Sequence, residues 1–233
     1  MTWVIVPAAG SGQRFGALVP KQHVLIDGRS LLEWTIGRLA GVPQITGLLV
    51  VLAANDALWP GLQSLAGKPV LTAIGGSERA DSVLAGLLAL PTWVQDSDFV
   101  LVHDAARPCV RSSDIEKLLH AIAGTNGGLL AAPLRDTLKR QVDQSRPMHV
   151  EQTVPRAGLW RALTPQAFRR AALTAALKDA KAQGKVPTDE AQAMEAQGMQ
   201  PLLVEGAEDN IKVTTAHDLA FAQFLLRTAG DKK

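Results

Sequence analysis

Along the chain, short runs of apolar residues alternate with longer segments in which apolar residues recur every three or four positions. The short runs have the length and β-branched content of buried strands, and the longer segments have the spacing of amphipathic helices. This alternation is typical of a mostly parallel, twisted sheet with helices on both faces. The predicted strands are 3–8, 45–53, 69–74, 98–103, 127–133 and 201–206, and the predicted helices are 30–41, 55–67, 77–90, 112–123, 164–184, 188–198 and 214–230.

Local signals mark the ends of some of these elements. Ser30 stands at the N-cap of the first predicted helix, and Thr215 and Asp218 have capping-box spacing at the start of the last one. Pro60 and Gly61 weaken the second predicted helix, because proline lacks the backbone N–H and glycine favours turns.

The segment 135–154 interrupts this rhythm. Polar and apolar residues alternate there on both sides of a polar, proline-containing break at 143–147, which predicts a β-hairpin. A hairpin with so little apolar surface is poorly stable alone. We therefore expect it to pack on another surface, for which a second subunit is a candidate.

Composition excludes several classes of protein. A chain of 233 residues with 47% hydrophobic residues can bury one core, so we expect a single domain over 1–233. The net charge is only +2, which is atypical of a nucleic-acid-binding surface, and the single cysteine excludes an internal disulfide. The first apolar run is too short for a signal peptide or a membrane span. These features predict a cytoplasmic protein without nucleic-acid or membrane partners.

The loop after the first strand, AAGSGQRFGALVPKQ, has the composition of a phosphate-binding loop. Residues 8–12 are all small, and Arg14 and Lys21 follow them. Small residues let backbone N–H groups approach phosphate oxygens closely, and an arginine can bind two oxygens at once. The spacing is that of neither a Walker motif nor a G-x-G-x-x-G motif. The alternative is a strand-to-helix turn with incidental charges.

The loop GGSERADS (75–82) leads into a helix N-terminus, where free N–H groups point outward. Ser77 or Ser82 could contact a base or a ribose at this position. Taken alone, the loop favours a simpler interpretation, in which a serine caps the helix and Glu78 and Arg79 form a solvated face.

Two further loops carry candidate residues. In HDAARP, Asp104 and Arg107 follow the end of a strand, where the aspartate could bind a metal, a hydroxyl or only Arg107. His103 could be a catalytic base, but a histidine at the end of a buried strand is more often a hydrogen-bonded core residue. In EGAEDNIKVT, Lys212 lies between two apolar residues, which a strand would place on the opposite face from the lysine. The alternative role for Lys212 is that of an edge-strand lysine that prevents aggregation.

The combination of these loops predicts a polyphosphate site. In open α/β sheets ligands bind beyond the carboxyl ends of the strands, and four loops there carry Arg14, Lys21, Arg107 and Lys212 with few opposing carboxylates. The chain has no G-x-S-x-G motif and no cluster of His and Cys with metal-ligand spacing. The pattern therefore does not favour acyl or hydride transfer.

These motifs together resemble the 2-C-methyl-D-erythritol 4-phosphate cytidylyltransferase family. The resemblance rests on PAAGSGQRF with PKQ, GGSERADSVLAGL, LVHDAARP, AAPLRDTLKR, ALTPQAF, TDEAQAME and VEGAEDNIKVT, which cover almost the whole chain in the family's order. It implies a Rossmann-like nucleotidyltransferase fold, with a protruding β-arm at about 135–156 that reaches the partner in a homodimer. It also implies in-line attack of the methylerythritol phosphate on the α-phosphorus of CTP, with Mg²⁺ held mainly by the CTP phosphates and pyrophosphate released.

The resemblance assigns roles residue by residue. Catalytic roles fall on Arg14, Lys21, Arg156 and Lys212; CTP contacts on Ala8, Ala9, Gly10, Ser11, Gly12, Gly76, Ser77 and Ser82; and substrate contacts on Asp104, Arg107, Thr137, Thr164 and Thr188. Of these, Thr137 and Arg156 would come from the partner's arm. No protein residue is assigned as a metal ligand.

Two positions depart from the family pattern, and other functions stay open. Many relatives have a basic residue in place of Gln13 and an acidic one in place of Ser77, which leaves a side-chain role for Ser77 unsupported. The alternatives are cytidylyl transfer to another phosphate such as ribitol 5-phosphate, a nucleotide-sugar-dependent glycosyltransferase, and a nucleotide-binding regulatory module without catalysis.

Overall fold

The computed structural model describes residues 1–10, 19–142 and 147–230, with the backbone alone at 229 and 230. The strands are β1 (Thr2–Pro7), β2 (Leu25–Ile26), β3 (Arg29–Ser30), β4 (Gly47–Leu52), β5 (Ser64–Leu65), β6 (Lys68–Ile74), β7 (Phe99–Val102), β8 (Gly127–Pro133), β9 (Leu138–Gln141), β10 (Val150–Val154), β11 (Trp160–Arg169) and β12 (Leu202–Glu205). The helices are α1 (Leu31–Ala40), α2 (Arg79–Leu88), α3 (Ser112–Ile122), α4 (Arg170–Ala182), α5 (Glu190–Glu195) and α6 (Ala216–Gly230), with a 3₁₀ turn at Lys21–His23. Among these described helices, none is both long and apolar enough to span a membrane.

Eight strands form one mixed sheet in the order β12-β8-β11-β7-β1-β4-β6-β5. Strands β7, β1, β4 and β6 are parallel neighbours, and β8 and β12 form a second parallel pair. Only β11, between β7 and β8, and the short edge strand β5 run antiparallel to their neighbours. The prediction of a mostly parallel sheet is confirmed.

Helices cover both faces of this sheet. Alternate residues of β1 enter different cores: Val4 and Val6 pack in the cluster that contains the apolar faces of α1 and α3. Trp3 and Ile5 pack in the opposite cluster, with the apolar faces of α2 and α4. Because side chains of a strand alternate between faces, a strand between two helical layers must be apolar throughout. Strand β4 meets this condition, since all six of its residues are buried.

The prediction of a helix at 55–67 is wrong. The segment forms turns and then β5, which pairs with β6 through Leu65 and Lys68. Gly61 and Gly67 have φ of +70° and +75°, in the left-handed region that ends helices and closes turns. The apolar spacing that suggested a helix reflects instead Trp59, Leu62 and Leu65 packing on the core beside α1.

The helix predicted at 164–184 begins later than expected. Residues up to Arg169 belong to β11, which pairs with β7 through Gln166 to Arg169 and with β8 on its other side. Helix α4 then begins at Arg170. The prediction of helix over 164–169 is wrong, and β11 was not predicted, because pairing with two neighbouring strands outweighs the local helical pattern.

Capping and the hairpin follow the prediction. The Ser30 side chain accepts a hydrogen bond from Glu33 N, and the Glu33 carboxylate accepts one from Ser30 N, which completes a capping box on α1. Thr215 and Asp218 exchange the equivalent bonds before α6. Strands β9 and β10 pair antiparallel as a separate two-stranded sheet with mostly exposed side chains.

Candidate active site

A cavity of about 180 Å³ opens at the carboxyl ends of β1, β6 and β7. Residues that follow these strands line it, together with Lys21 and Lys212 from more distant segments. Nine of the predicted site residues lie on its wall: Ala8, Ala9, Gly10, Lys21, Gly76, Ser77, Ser82, Asp104 and Lys212. The structure therefore brings loops that follow separate strands together on one hollow, while the functional roles of these residues stay predictions.

The other predicted site residues have different positions. Ser11, Gly12 and Arg14 lie outside the described residues. Arg107 and Thr164 are buried directly behind Asp104, to which both are hydrogen-bonded. Thr188 is exposed just before α5, where its N–H donates to the Gln192 side chain at 2.6 Å. Thr137 and Arg156 are exposed beside the ends of the β9–β10 hairpin, away from this cavity wall.

Two glycines determine the shape of the loop 75–82. A Cβ on Gly75 would lie 2.5 Å from the Cβ of Ala9 and 2.7 Å from Ser82 Oγ, and a Cβ on Gly76 would lie 2.4 Å from the Cβ of Asp81. Because residues 75 and 76 lack a Cβ, the loop 75–82 packs against the loop after β1 more closely than larger residues at these positions would permit. The hydroxyl of Ser82 fixes this loop: its Oγ accepts a hydrogen bond from Gly76 N at 3.2 Å and donates one to Glu78 O at 3.2 Å.

Lys21 reaches the cavity from a short, well-anchored 3₁₀ turn. Its neighbour Gln22 is buried and donates from Nε2 to Ala8 O at 2.7 Å. The next residue, His23, is paired through Nε2 with Asp56 Oδ2 at 2.8 Å. These buried bonds fix the turn to the loops after β1 and β4, so the backbone of Lys21 has a defined position beside the cavity.

Asp104 is the centre of the charged wall. Its Oδ1 accepts from Arg79 Nε at 3.1 Å, and its Oδ2 accepts from Lys212 Nζ at 2.9 Å and from Arg107 Nε at 3.3 Å. Burial alone would raise the pKa of Asp104, but the fields of Arg79, Lys212 and Arg107 outweigh it and hold the pKa well below its ordinary value. The carboxylate is therefore ionised at any physiological pH and serves as an anchor for cations.

Arg79 is a functional candidate that sequence reasoning missed. The interpretation of Glu78 and Arg79 as a solvated face is wrong for Arg79, whose side chain is only 27% exposed. Besides Asp104, it binds both carboxylate oxygens of Glu190, at 2.6 and 3.1 Å. Glu190 is buried and is a second carboxylate in this network, which the sequence-based interpretation did not include. No local pattern could connect these two residues, which are 111 positions apart.

Lys212 reaches the cavity for a different reason from the predicted one. Strand β12 ends at Glu205, and residues 211–214 have no regular secondary structure. Ile211 and Val213 pack instead in a small core with α6, which leaves the lysine between them directed toward Asp104. Alternation between apolar anchors therefore orients Lys212 correctly without a strand.

Arg107 is held from behind by a buried polar network. Its Nη1 donates to Asn210 O at 2.8 Å, and Asn210 Nδ2 donates to Thr164 O at 2.8 Å. Thr164 Oγ1 in turn accepts from Asp104 N at 3.1 Å. Asn210 is fully buried and did not figure in the sequence-based site.

His103 is a core residue, as its position at the end of a buried strand predicts. Its ring is fully buried, and its Nε2 lies 3.1 Å from the carbonyl of Arg107. Burial lowers the pKa of His103 to about 4, so the ring is neutral near pH 7 and does not add to the charge of the site.

Two solved structures superimpose closely on nearly the whole chain. A crystal structure of a 4-diphosphocytidyl-2C-methyl-D-erythritol synthase superimposes with a TM-score of 0.82 at 33% identity, covering 97% of both chains. The 2-C-methyl-D-erythritol 4-phosphate cytidylyltransferase of Francisella tularensis superimposes with a TM-score of 0.81 at 32% identity, covering 96% of this chain and 99% of that one.

Sequence comparison gives the same result over nearly the full length. The 2-C-methyl-D-erythritol 4-phosphate cytidylyltransferase of Stenotrophomonas maltophilia K279a is 55% identical over 231 residues, 98% of each chain. The enzyme of that name from Xanthomonas campestris is 54% identical over 96% of this chain and 84% of its own length. The family model for IspD, 2-C-methyl-D-erythritol 4-phosphate cytidylyltransferase, matches residues 2–228. With its nucleotidyltransferase-like sheet and cation-lined cavity, the chain belongs to the 2-C-methyl-D-erythritol 4-phosphate cytidylyltransferase family.

Proposed function

We propose that the cavity beyond β1, β6 and β7 transfers a cytidylyl group from CTP to 2-C-methyl-D-erythritol 4-phosphate, giving 4-diphosphocytidyl-2-C-methyl-D-erythritol and pyrophosphate. The observation that carries this proposal is the convergence of Lys21, Arg79 and Lys212 from three separate segments on one cavity, with Arg107 paired to Asp104 behind its wall. Cations gathered in this way suit a ligand with several phosphates. Family membership supplies the identity of the two substrates.

The two loops on one side of the cavity suit the nucleoside. Backbone groups at Ala8, Ala9 and Gly10 and at Gly76 line the wall, with Ser77 and Ser82 beside them. The Ser77 hydroxyl donates to Asp81 Oδ2 at 3.1 Å, which fixes its orientation. We assign the cytosine and ribose to this side, with Ser77 contributing its backbone. The triphosphate contacts of Ser11, Gly12 and Arg14 stay predictions, because these residues lie outside the described part of the chain.

The nucleophile supplies its own charge in this reaction. A phosphate monoester has a second pKa of about 6 and is largely dianionic at neutral pH, so the attack needs no general base. The difficulty is repulsion between the attacking phosphate and the α-phosphate of CTP. Lys21 and Lys212 can reduce that repulsion and stabilise the charge that develops in the transition state. We assign the acceptor to the side of the cavity that carries Asp104, with Arg107 and Thr164 buried behind it, and the acceptor contact of Thr188 stays a prediction.

Mg²⁺ fits this site as an ion coordinated by the triphosphate. The part of the chain that the structure describes contains no cluster of three His, Cys, Asp or Glu side chains able to hold a metal ion. The cavity carboxylate Asp104 is already paired with three cations. Mg²⁺ would therefore be held by phosphate oxygens and water, where it neutralises triphosphate charge.

The hairpin suits a role in a homodimer. Val142, Met148 and Val150, in or beside this two-stranded sheet, are 59%, 67% and 60% exposed, an apolar exposure that a second subunit would cover. Thr137 and Arg156, at the base of this arm, would then reach the acceptor phosphate in the partner's site. A cytoplasmic location is part of the same proposal, because the single cysteine requires no oxidising compartment.

The decisive experiment measures pyrophosphate release with four nucleoside triphosphates and two acceptors, methylerythritol phosphate and ribitol 5-phosphate. We expect rapid release only with CTP and methylerythritol phosphate in the presence of Mg²⁺. Preference for ribitol 5-phosphate would transfer the proposal to another cytidylyltransferase, and CTP binding without pyrophosphate release would indicate a regulatory module.

A further inference from the structure

We infer that Arg79 is a positioning residue for the transfer step: it holds Asp104 against Glu190 and thereby fixes the ammonium group of Lys212 at the cavity. The inference rests on the proposed function, since it concerns the same reaction. It assigns a role to a side chain and to a buried carboxylate, Glu190, that the motif-based assignment leaves without one.

The contacts of Arg79 use the forked shape of its guanidinium. Nε donates to Asp104 Oδ1 at 3.1 Å, while Nη1 and Nη2 donate to the two oxygens of Glu190 at 2.6 and 3.1 Å. One arginine thus joins the loop after β7 to the start of α5. A lysine has a single nitrogen and cannot make both sets of bonds.

Burial makes these bonds consequential. Glu190 is 1% exposed and the Asp104 side chain 9% exposed, so water cannot replace a lost partner for either carboxylate. Burial disfavours the charged form of Arg79, but Glu190 and Asp104 outweigh it and raise the pKa of Arg79 above its ordinary value. The guanidinium therefore stays charged and stays paired with both carboxylates.

The link to catalysis passes through the second oxygen of Asp104. Because Arg79 holds Oδ1, the carboxylate plane is fixed and Oδ2 faces Lys212 at 2.9 Å and Arg107 at 3.3 Å. Lys212 is 39% exposed and lines the cavity, so Asp104 determines where its charge lies. Without Arg79, Oδ1 loses this partner and the carboxylate is oriented through Oδ2 alone. A misplacement of about 1 Å in a charged group can cost roughly 100-fold in rate.

The test compares Arg79→Lys, Glu190→Gln and the double variant in the pyrophosphate assay, using the acceptor on which the wild-type protein is most active. We expect Arg79→Lys to lower kcat about 10- to 100-fold while KM for CTP changes less than about threefold, because the loss is confined to the transition state. Glu190→Gln should lower kcat about tenfold in the wild-type background and less than about twofold in Arg79→Lys, since it acts through Arg79.

A matched control separates this effect from a general loss of an ion pair. Arg227 makes a similar forked contact with Asp27 on the exposed side of α6, and Arg227→Lys should leave kcat unchanged. Thermal unfolding of each variant identifies any that fails to fold. If Arg79→Lys does not fold, the isosteric Glu190→Gln variant tests the inference alone.

Three results would overturn the inference. These are an unchanged kcat in Arg79→Lys or Glu190→Gln, an increase in KM for CTP as large as the fall in kcat, and effects that simply multiply in the double variant. The second result would make Arg79 a direct ligand of the triphosphate. Failure of the wild-type protein to use methylerythritol phosphate would instead contradict the proposed function and would leave the comparison of variants on the preferred acceptor intact.

Discussion

The Nδ1 atom of His103 lies 3.0 Å from the hydroxyl oxygen of Thr164, in the interior behind the cavity. The other ring nitrogen, Nε2, faces the carbonyl of Arg107, which can only accept, so Nε2 carries the proton of the neutral ring. Nδ1 is then an acceptor, and Thr164 donates its single hydroxyl proton to it. The Thr164 oxygen in turn accepts from Asp104 N. In this state Thr164 contributes to the site by fixing the loop that carries Asp104 and Arg107.

Because of this pairing, the stability of the fold should depend on the Thr164 hydroxyl. Thr164→Val keeps the shape but leaves His103 Nδ1 and Asp104 N buried without partners, and we expect unfolding to become easier by about 1–3 kcal/mol. Thr164→Ser keeps the hydroxyl and should lose less. Urea denaturation of both variants measures the difference. Equal stability of Thr164→Val and the wild-type protein would contradict the assigned bond.

The buried ring also predicts a dependence of stability on pH. The pKa of His103 is about 4 in the folded protein and 6.5 in the unfolded chain, so the unfolded state binds a proton first as the pH falls. Stability should be constant above about pH 7 and should decrease by about 3 kcal/mol between pH 6.5 and 4 from this residue. Urea titrations of the wild-type protein and His103→Gln across that window measure it. A slope that persists unchanged in His103→Gln would assign the effect to other groups.

The two cavity lysines should be required for turnover more than for CTP binding. Lys21→Ala and Lys212→Ala each remove a cation from the transition state, and we expect kcat to fall on the order of 100- to 1000-fold. CTP affinity, measured by calorimetry, should fall less. Lys178→Ala, at an exposed position of α4, is the control and should retain full activity. Near-normal turnover in both cavity variants would remove these catalytic assignments.

The glycine loop should not accept a larger residue. A Cβ at position 76 would approach the Cβ of Asp81 to 2.4 Å, so Gly76→Ala must displace the loop or the start of α2. We expect KM for CTP to rise at least about tenfold with a smaller change in stability. Gly124→Ala is the matched control, because a Cβ there meets nothing within 4 Å. Equal KM values in the two variants would argue against close approach of the nucleoside to Gly76.

A homodimer with shared sites predicts complementation between inactive variants. Lys212→Ala and Arg156→Ala should each be nearly inactive alone, since each damages every site. In mixed dimers one site carries both defects and the other none, so remixing equal amounts should restore about a quarter of wild-type activity. Sedimentation confirms the dimer, and pyrophosphate release measures recovery. No recovery despite subunit exchange would mean that Arg156 acts within its own chain.

The sequence by itself determined the alternation of strands and helices, the hairpin and the loops that meet at one sheet edge. These features depend on local chemistry: apolar periodicity, capping at Ser30, and small residues where backbone must approach a ligand. The sequence determined the ends of helices and strands less well. The run at 164–169 reads as helix because its spacing is ambiguous, and only its place between β7 and β8 makes it a strand.

Tertiary structure alone decided how the charges of the site are paired. The sequence places Asp104 and Arg107 after a strand end and sets Lys212 between two apolar residues, but it contains no periodicity that relates Arg79 to Glu190 across 111 positions. Ion pairing depends on distances of about 3 Å between atoms of separate segments, and packing of the α2 and α5 helices sets those distances. The motifs therefore identify the site, and the fold determines how its charges are balanced.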